Sequence, residues 1–465
     1  MESFEYAGFW WLPDNPKKQI SGTLKFNFRE GITLDLVGSF KEMQDLGKSL
    51  EPKIILGFTS NGKKITLYNC YEIHSHMSLP GFLSTSFIAS VAFVGHHFEK
   101  EESILFNSLS LNYSHLEEWT RITGFQMRMV TDTSDHLVKH EVSYVFPEKV
   151  ETKVNDIKIS FDYNFSDSGD RIKEYKLEQT TFIKIEPPTP LHFNDYLSNI
   201  CFHLQNFLSL GAGKAIYPLI IKGKNENCKI ELEAGRITYN DIDVYYPIKN
   251  FLDTSKKLHP LDTFFFFGDI KDNFEAYLNN WFKRSEVIQP VYDLYFATMY
   301  SPKMYLQYEF LALTQALEAY HRRVHKGEYI TEKDYPGICN ILTNAIPITL
   351  DEDFKTALKE RMKYLNEFSL RKRLKETLDK LGDVVNFLIP NQENFIDDIV
   401  NTRNFLTHYD KSLEGKEKKG QELYNLIERM KFVLEICFLI EMGMPGDKIK
   451  VLASRNQRYQ YLAKQ

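Results

Sequence analysis

Two β-hairpins are predicted near the start of the chain, where apolar and polar residues alternate on both sides of a turn. In GTLKFNFREGITLDLVGSF, which begins at Gly22, the alternation is centred on a turn at residues 29–31. In KIILGFTSNGKKITLYNCYEI, which begins at Lys53, it is centred on Ser-Asn-Gly at residues 60–62, and Asn-Gly readily adopts the positive φ of a tight hairpin. Alternation with a period of two is typical of a strand with one buried face. Further segments of this kind predict a β-rich domain over residues 1–165.

A short helix is predicted within this region at SHLEEWTRITGF, because Ser114 and Glu117 have the spacing of a capping box. Residues 166–300 mix the two patterns, since strand-like segments surround LHFNDYLSNICFHLQNFLSLG, which has helical spacing and stops at Gly211. The GAGK that begins there lacks the spacing of a phosphate-binding loop, and Ala215 stands where such a loop has a magnesium-binding hydroxyl. We therefore interpret this glycine as the end of a helix.

From residue 301 onward, apolar residues recur every three or four positions, which is typical of amphipathic helices. About five such helices with short connections predict a helical bundle, and ELYNLIERMKFVLEICFLIEMG, from Glu422 to Gly443, is the most apolar. The polar tail ASRNQRYQYLAKQ is expected to be loosely ordered. The fold class is therefore α+β multidomain, with a β-rich region at 1–165, a mixed α/β region at 166–300 and an all-α bundle at 301–465. One predicted apolar stripe, in DEDFKTALKERMKYLNEF, consists of Phe354, Leu358, Met362 and Leu365. Asn391 is predicted to be the N-cap of the helix in NQENFIDDIVNTRNFLTHYD.

Composition narrows the class of protein without identifying it. With 43% hydrophobic and 26% charged residues, a wholly disordered chain is excluded, and a net charge of −6 excludes a dense basic coat. Residues 301–465 carry 26 basic and 24 acidic side chains, so a nucleic-acid role fits best in this part. The five cysteines form no C-x-x-C, which argues against a disulfide framework or a zinc site. Without a signal pattern or a long apolar segment, we expect a cytoplasmic protein that does not contact a membrane.

Three histidine pairs have a spacing that a metal site could use, at residues 74 and 76, 136 and 140, and 321 and 325. Each pair lacks a visible third ligand, so we expect surface or capped histidines and no metal site. The sequence also has no nucleophile signature of the G-x-S-x-G kind.

One constellation, RNFLTH at residues 403–408, combines the side chains that RNA cleavage needs. Asn404 and His408 are four positions apart and share a helical face, whereas Arg403 and His408 are about 140° apart on an ideal helix. Arg403 and His408 can serve one site only if the helix ends near Leu406, or if the long Arg side chain curls back. Attack by a ribose 2′-hydroxyl requires proton removal, proton delivery to the leaving 5′-oxygen and a cation beside the phosphorane. A histidine can transfer protons near neutral pH and an arginine can supply the cation, so no metal or cofactor is required.

Two segments of the bundle carry a resemblance to a known family: QALEAYHR at Gln315–Arg322 and DIVNTRNFLTHYD at Asp398–Asp410. Two more lie in the N-terminal half, GFWWLP near the start and LEEWTRITGF at Leu116–Phe125. In these segments the chain resembles the ApeA-like HEPN proteins of bacterial anti-phage defence. The resemblance covers most of the chain, and it is strongest at Arg-Asn-x-x-x-His. It implies a C-terminal HEPN bundle that acts as a metal-independent endoribonuclease and arrests the infected cell.

The resemblance also implies roles for particular residues. Arg403 and His408 would be the catalytic pair, and Asn404 the polar residue that follows the arginine. HEPN domains pair so that two motifs face each other, which implies a homodimer or a higher homo-oligomer. The very apolar helix from Glu422 to Gly443 is a candidate for part of that interface, with absorption into the bundle core as the alternative. RNA, with transfer RNA as one candidate, would be the substrate. The bundle would be held in check or triggered through the N-terminal region, with a phage-derived trigger as one candidate. Glu318 is a candidate to orient the catalytic pair, although a structural carboxylate is the simpler interpretation. The alternative function is a catalytically silent HEPN module that binds a protein or nucleic acid.

Overall fold

The computed structural model describes residues 3–42, 48–77, 80–170, 172–231, 237–248, 251, 254, 256–301, 303–409 and 411–464. Contacts divide the chain into two compact units. The first consists of Met1–His259 and Phe265–Glu275, and the second of Pro260–Phe264 and Ala276–Gln465. The domain boundaries at residues 165 and 300 stay a prediction. Asp410, the last residue of the segment that resembles HEPN proteins, lies outside the described residues.

The first unit is rich in β structure, as the sequence predicted. Its longest sheet has the strand order β11-β12-β13-β8-β15-β18-β6-β3-β2-β1-β4-β5. The described strands are β1 Phe4–Trp11, β2 Ile20–Asn27, β3 Gly31–Leu36, β4 Ile54–Thr59, β5 Lys64–Met77, β6 Leu83–Val94, β7 Leu105–Phe106, β8 Ser108–Tyr113, β9 Phe125–Thr131, β10 Leu137–Tyr144, β11 Val150–Val154, β12 Ile157–Ser168, β13 Lys176–Glu186, β14 Leu191–His192, β15 Pro218–Lys224, β16 Lys229–Glu231, β17 Ile237–Tyr239 and β18 Ile242–Tyr245.

The first six strands close into a barrel, because β6 pairs with β5 as well as with β3. Alternate residues of β2 and β3 point inward, which explains the period of two in their sequences. Trp10 is fully buried inside the barrel, and its indole N–H donates a hydrogen bond to the Gly22 carbonyl at 3.2 Å. A side chain at Gly57 would collide with the Trp10 ring, so this glycine is required for the close approach. Both predicted hairpins, β2–β3 and β4–β5, are confirmed.

The predicted helix near residue 116 is confirmed as α1 Leu116–Thr120, but its capping box is wrong. The Ser114 hydroxyl accepts a hydrogen bond from the Tyr217 backbone N–H, and the Glu117 carboxylate accepts one from the Thr181 backbone N–H at 2.7 Å. Both side chains therefore bind distant strands instead of the helix end. Burial is the first cause that raises the pKa of the Glu117 carboxyl, and these hydrogen bonds only partly offset it.

The other helices of the first unit are few and short. The segment after β14 forms α2 Phe193–Tyr196, a π-helical turn at Leu197–Cys201 and α3 Phe202–Ala212. It ends at Gly213, with φ of +69°, so the glycine that ends the helix lies two residues beyond the predicted one. Gly211 instead lies against Trp119, where a larger residue would collide with the indole. Helix α4 Phe267–Ile270 completes the unit, and α5 begins at its end.

The second unit is helical, which confirms the predicted bundle. Helices α6, α9, α11 and α12 pack against one another, and α12 is the most buried of them. Its apolar residues form the centre of the unit, so they are not an exposed surface for a second chain. The helices are α5 Phe274–Tyr300, α6 Leu306–His325, α7 Tyr335–Asn344, α8 Glu352–Tyr364, α9 Leu370–Leu381, α10 Asp383–Asn386, α11 Gln392–His408, α12 Gly420–Glu441, α13 Gly446–Arg455 and α14 Gln457–Ala463.

Two predictions for this unit are wrong in detail. Helix α8 forms, but its predicted stripe is not a core face, since Phe354 is 49% exposed and Leu365 57% exposed. Helix α8 packs mainly against the neighbouring α7, and much of the stripe is left in solvent. The tail expected to be loosely ordered is helical in α13 and α14, and it buries Tyr459 and Leu462 against the bundle. Spacing alone did not reveal this, because the tail contributes only a few apolar side chains.

Candidate active site

Helix α11 positions the RNFLTH segment. Its first turn is capped as predicted, because the Asn391 side chain accepts a hydrogen bond from the Asn394 backbone N–H at 3.0 Å. Phe395, Ile399 and Thr402 face the bundle core. The Thr402 hydroxyl also accepts a hydrogen bond from the Lys418 backbone N–H at 3.0 Å, which ties the helix to the segment before α12. Because this face of α11 is buried, the RNFLTH residues that follow Thr402 lie on the half-exposed side of the helix.

Arg403 and Asn404 contact each other directly. The Arg403 guanidinium donates a hydrogen bond from Nη1 to Asn404 Oδ1, with 3.0 Å between the two atoms. A guanidinium has only donors, so the amide presents its oxygen to the arginine and its Nδ2 donor is left for another group. Both side chains are half-buried. The arginine side chain is therefore tied to the neighbouring residue of the same helix.

His408 is the last residue of α11 and is exposed. The helix continues to this residue and is terminated by Tyr409, which has φ of +49°. An end near Leu406, one of the two conditions for a shared site, is therefore not met. The other condition is an arginine side chain that reaches towards His408, and it stays a prediction; the observed contact of Arg403 is with Asn404, which shares a helical face with His408. Among the residues that the structure describes, no hydrogen bond or ion pair joins Arg403 to His408.

Glu318 is not brought to this pair. Its carboxylate accepts a hydrogen bond from Arg322 at 3.3 Å, one helical turn away. Arg322 also contacts Glu367 at 2.7 Å. Among the described residues, no hydrogen bond or ion pair joins Glu318 to Arg403 or His408. The simpler interpretation of Glu318, as a structural carboxylate, agrees with these contacts.

His321 is buried, contrary to the expectation of a surface histidine. Its Nε2 lies 2.8 Å from a carboxylate oxygen of Glu376, and its Nδ1 lies 3.3 Å from Nη1 of Arg373. Because Arg373 can only donate, Nδ1 is the acceptor and Nε2 carries the proton. Burial lowers the pKa of His321, and the Glu376 carboxylate opposes this shift. In the described part of the chain, no group of three or more His, Cys, Asp or Glu side chains could hold a metal ion.

A groove beside the motif was missed by sequence reasoning. We call it the aromatic groove; it encloses about 640 Å³ between the start of α6, the end of α11 and the residues that precede α12. The signals were present but far apart: YLQY at the start of α6 and EGKEKKG, which had the character of a linker. Its lining residues are Tyr305, Gln307, Tyr308, Leu311, Phe405, Leu406, Tyr409, Glu417, Lys418, Lys419 and Leu423.

Both halves of the chain match known families. The family described as ApeA N-terminal domain 1 matches residues 5–281, which is more than half of the chain, and the family described as Apea-like HEPN matches residues 311–448. The chain belongs to the ApeA-like HEPN family. Arg403, Asn404 and His408 all lie in the HEPN match. No curated protein and no solved structure gave a match.

Family membership supports a general function. HEPN domains are generally ribonucleases, and ApeA-like proteins are associated with anti-phage defence, so this protein carries a HEPN module of the defence type. No described helix has both the length and the apolar character needed to cross a membrane.

Proposed function

We propose that this protein is a metal-independent endoribonuclease that cleaves RNA during anti-phage defence. The observation that carries the proposal is the hydrogen bond from Arg403 to Asn404, on a helix whose last residue is an exposed histidine. An always-charged group and a proton-transfer group then lie at the open end of one helix of a HEPN module. Transfer RNA is a candidate substrate because its loss would stop translation in the infected cell.

Each residue has a distinct role in this proposal. His408 transfers a proton during attack of the ribose 2′-hydroxyl on the adjacent phosphate. Arg403 stabilises the negative charge that accumulates on the phosphorane oxygens. Asn404 holds the guanidinium and offers its Nδ2 donor to a phosphate oxygen. The bond from the 2′-oxygen to phosphorus forms as the bond to the 5′-oxygen breaks, which leaves a 2′,3′-cyclic phosphate and a 5′-hydroxyl.

The products and the ion requirement test this chemistry. RNA from phage-infected cells should acquire new ends with a cyclic phosphate and a 5′-hydroxyl, and purified protein should cleave RNA in EDTA. DNA should be left intact, because it lacks the 2′-hydroxyl nucleophile. Loss of cleavage on chelation with recovery in Mg²⁺ would point to a two-metal nuclease.

Substitution of His408 tests the assignment of the site. His408→Ala should lower cleavage by about 100- to 10,000-fold, the usual contribution of a general acid or base, and should abolish growth arrest. His140→Ala, the same change at another exposed histidine, is the matched control and should cleave like wild type. If the wild-type protein bound RNA but cleaved it neither in infected cells nor in vitro, this result would favour the alternative of a catalytically silent HEPN module.

A further inference from the structure

Three tyrosine side chains that line the aromatic groove are largely exposed to solvent. Tyr305 is 75% exposed, Tyr308 65% and Tyr409 70%. The rings of Tyr305 and Tyr308 are 6.3 Å apart, and those of Phe405 and Tyr409 are 5.6 Å apart. Isolated exposed aromatics are ordinary, but three large exposed rings around one concavity indicate a binding surface.

Two lysines, Lys418 and Lys419, line the groove, and each is paired with a carboxylate, of Asp398 and Glu417 respectively. Residues 411–419, which connect α11 to α12, contain four lysines and two glutamates. Glu417 and Lys419 form an ion pair in which the carboxylate is almost fully buried and the ammonium is 70% exposed. The hydrogen bond from Lys419 lowers the pKa of Glu417. A ligand in the groove therefore meets ammonium groups and aromatic rings.

We propose that the aromatic groove binds an unpaired nucleobase of single-stranded RNA and so sets which nucleotide reaches His408. This inference rests on the proposed function and names the form of RNA that the site accepts. Aromatic rings stack on any base whose face is free, whereas a base within a duplex has both faces covered by its neighbours. The volume of about 640 Å³ lies in the range of pockets that hold small ligands. Lysine ammonium groups match the phosphates on either side of the stacked base.

The position of the groove supports this assignment. Tyr409 directly follows His408, so their Cα atoms are about 3.8 Å apart. Tyr308 and Tyr409 both line the groove, and a base stacked on Tyr409 would hold its own backbone beside the end of α11. The same groove could instead hold a second copy of this chain, but exposed lysines at a surface that meets an identical surface would repel each other. Charge thus favours RNA as the occupant.

Binding measurements with stacking variants test the proposal. In full-length protein carrying His408→Ala, which prevents cleavage, the Kd for a fluorescent single-stranded RNA would be measured against the same sequence in a duplex. Tyr308→Ala should weaken single-strand binding by roughly 5- to 100-fold, as expected for loss of one stacked base, and Tyr308→Phe should bind like the parent because the ring remains. Tyr461→Ala removes a tyrosine that is 57% exposed and lies outside the groove, and it should change nothing.

The outcomes separate this proposal from the proposed function. If wild type cleaves RNA and Tyr308→Ala binds and cleaves the same strand equally well, the groove assignment is overturned while the nuclease stands. If Tyr308→Ala loses binding in a protein that never cleaves RNA, the groove assignment stands and the nuclease fails. If the variant binds RNA normally but converts an oligomer to a monomer by light scattering, the groove is an interface between copies and the proposal is wrong. Equal affinity for duplex and single strand would also overturn it.

Discussion

The Arg403 guanidinium donates a hydrogen bond to the side-chain oxygen of Asn404, and this contact determines where the arginine lies. On an ideal helix, Asn404 is about 100° from Arg403 and only about 40° from His408. The amide therefore bridges most of the angle that separates the two proposed catalytic side chains. Without it, the arginine would have many rotamers available and no reason to stay on this side of the helix.

Removal of the Asn404 amide should impair cleavage without unfolding the protein. Asn404→Ala releases Arg403, and misplacement of a catalytic group by about 1 Å can cost about 100-fold in rate. Asn404→Asp retains an acceptor for Arg403 but loses the Nδ2 donor and adds a negative charge beside the RNA phosphate. We expect single-turnover cleavage to fall about 10- to 100-fold in both variants, with an unchanged midpoint of thermal unfolding.

Asn394→Ala provides the control for these two variants. Asn394 is exposed on the same helix, about 15 Å from Asn404 along the axis, and its replacement should leave cleavage intact. Wild-type rates in Asn404→Asp would mean that the amide only tethers the arginine and does not contact RNA.

The active enzyme is predicted to be at least a dimer with two motifs facing one phosphate. One histidine cannot easily remove a proton on one side of an in-line displacement and deliver one on the other. Heterodimers of wild-type and His408→Ala chains would be isolated with two affinity tags. They should cleave at least ~10-fold more slowly than wild type, because the shared site would lack one of its two proton-transfer groups. Half of the wild-type rate, or full activity in a monomer, would contradict a shared site.

The dimer surface has to lie elsewhere than on helix α12. Sequence reasoning offered that helix as part of an interface because it is so apolar, with core absorption as the alternative. The apolar side chains of α12 are buried within the helical unit, so they form part of its core, as the alternative stated.

Helix α14 at the chain end should stabilise the helical unit, because its Arg458 pairs with the buried carboxylate of Glu435 on α12. Glu435 is 2% exposed; it accepts a hydrogen bond from the Tyr295 hydroxyl at 2.5 Å and contacts Arg458 Nη1 at 2.9 Å. Arg458→Leu would leave this charge without its cationic partner, and breaking a buried pair costs roughly 3–5 kcal/mol. Urea unfolding followed by helical circular dichroism should show a loss of about 3 kcal/mol.

Lys464→Leu removes an exposed positive charge from the same end of the chain and is the matched control. It should leave the free energy of unfolding within about 0.5 kcal/mol of wild type. If both variants were equally stable, the contacts of Arg458 would have to be replaced by water.

Local patterns made part of this architecture predictable. The hairpin turn at Asn61-Gly62 and the N-cap at Asn391 depend only on neighbouring residues, and both are confirmed. Closure of the barrel depends on the pairing of β6 with two strands, which no local pattern encodes. The capping box failed for the same reason, because Ser114 and Glu117 bind backbone about 100 and 64 residues away.

The candidate site also has one part that local sequence predicted and another part that it did not. The spacing of Arg403, Asn404 and His408 was readable along one helix, whereas the aromatic groove combines residues near 305 with residues near 409 and 419. A pattern search along the chain cannot bring together side chains that are separated by 100 residues. The burial of His321 was hidden as well, since its partners Glu376 and Arg373 come from another helix.

The buried His321 should make stability depend on pH. Its pKa is lowered in the folded protein, chiefly by burial, while the unfolded chain has the ordinary value near 6.5. Above about pH 6.5 both states are neutral and the full stability is present. As pH falls, the unfolded state binds a proton that the folded state resists, so stability is lost until the pH passes below the lowered pKa, by up to about 1.4 kcal/mol per pH unit.

His321→Gln should remove this component, because its amide can donate to Glu376 and accept from Arg373 but does not titrate. The free energy of unfolding would be measured between pH 7.5 and 5 for both proteins. Four charged or titratable groups face the ring: Glu376, Arg373, Lys380 and His325. Burial also lowers the pKa of His325, so the variant retains a pH dependence, but a shallower one. Parallel curves for the two proteins would contradict the assigned role of His321.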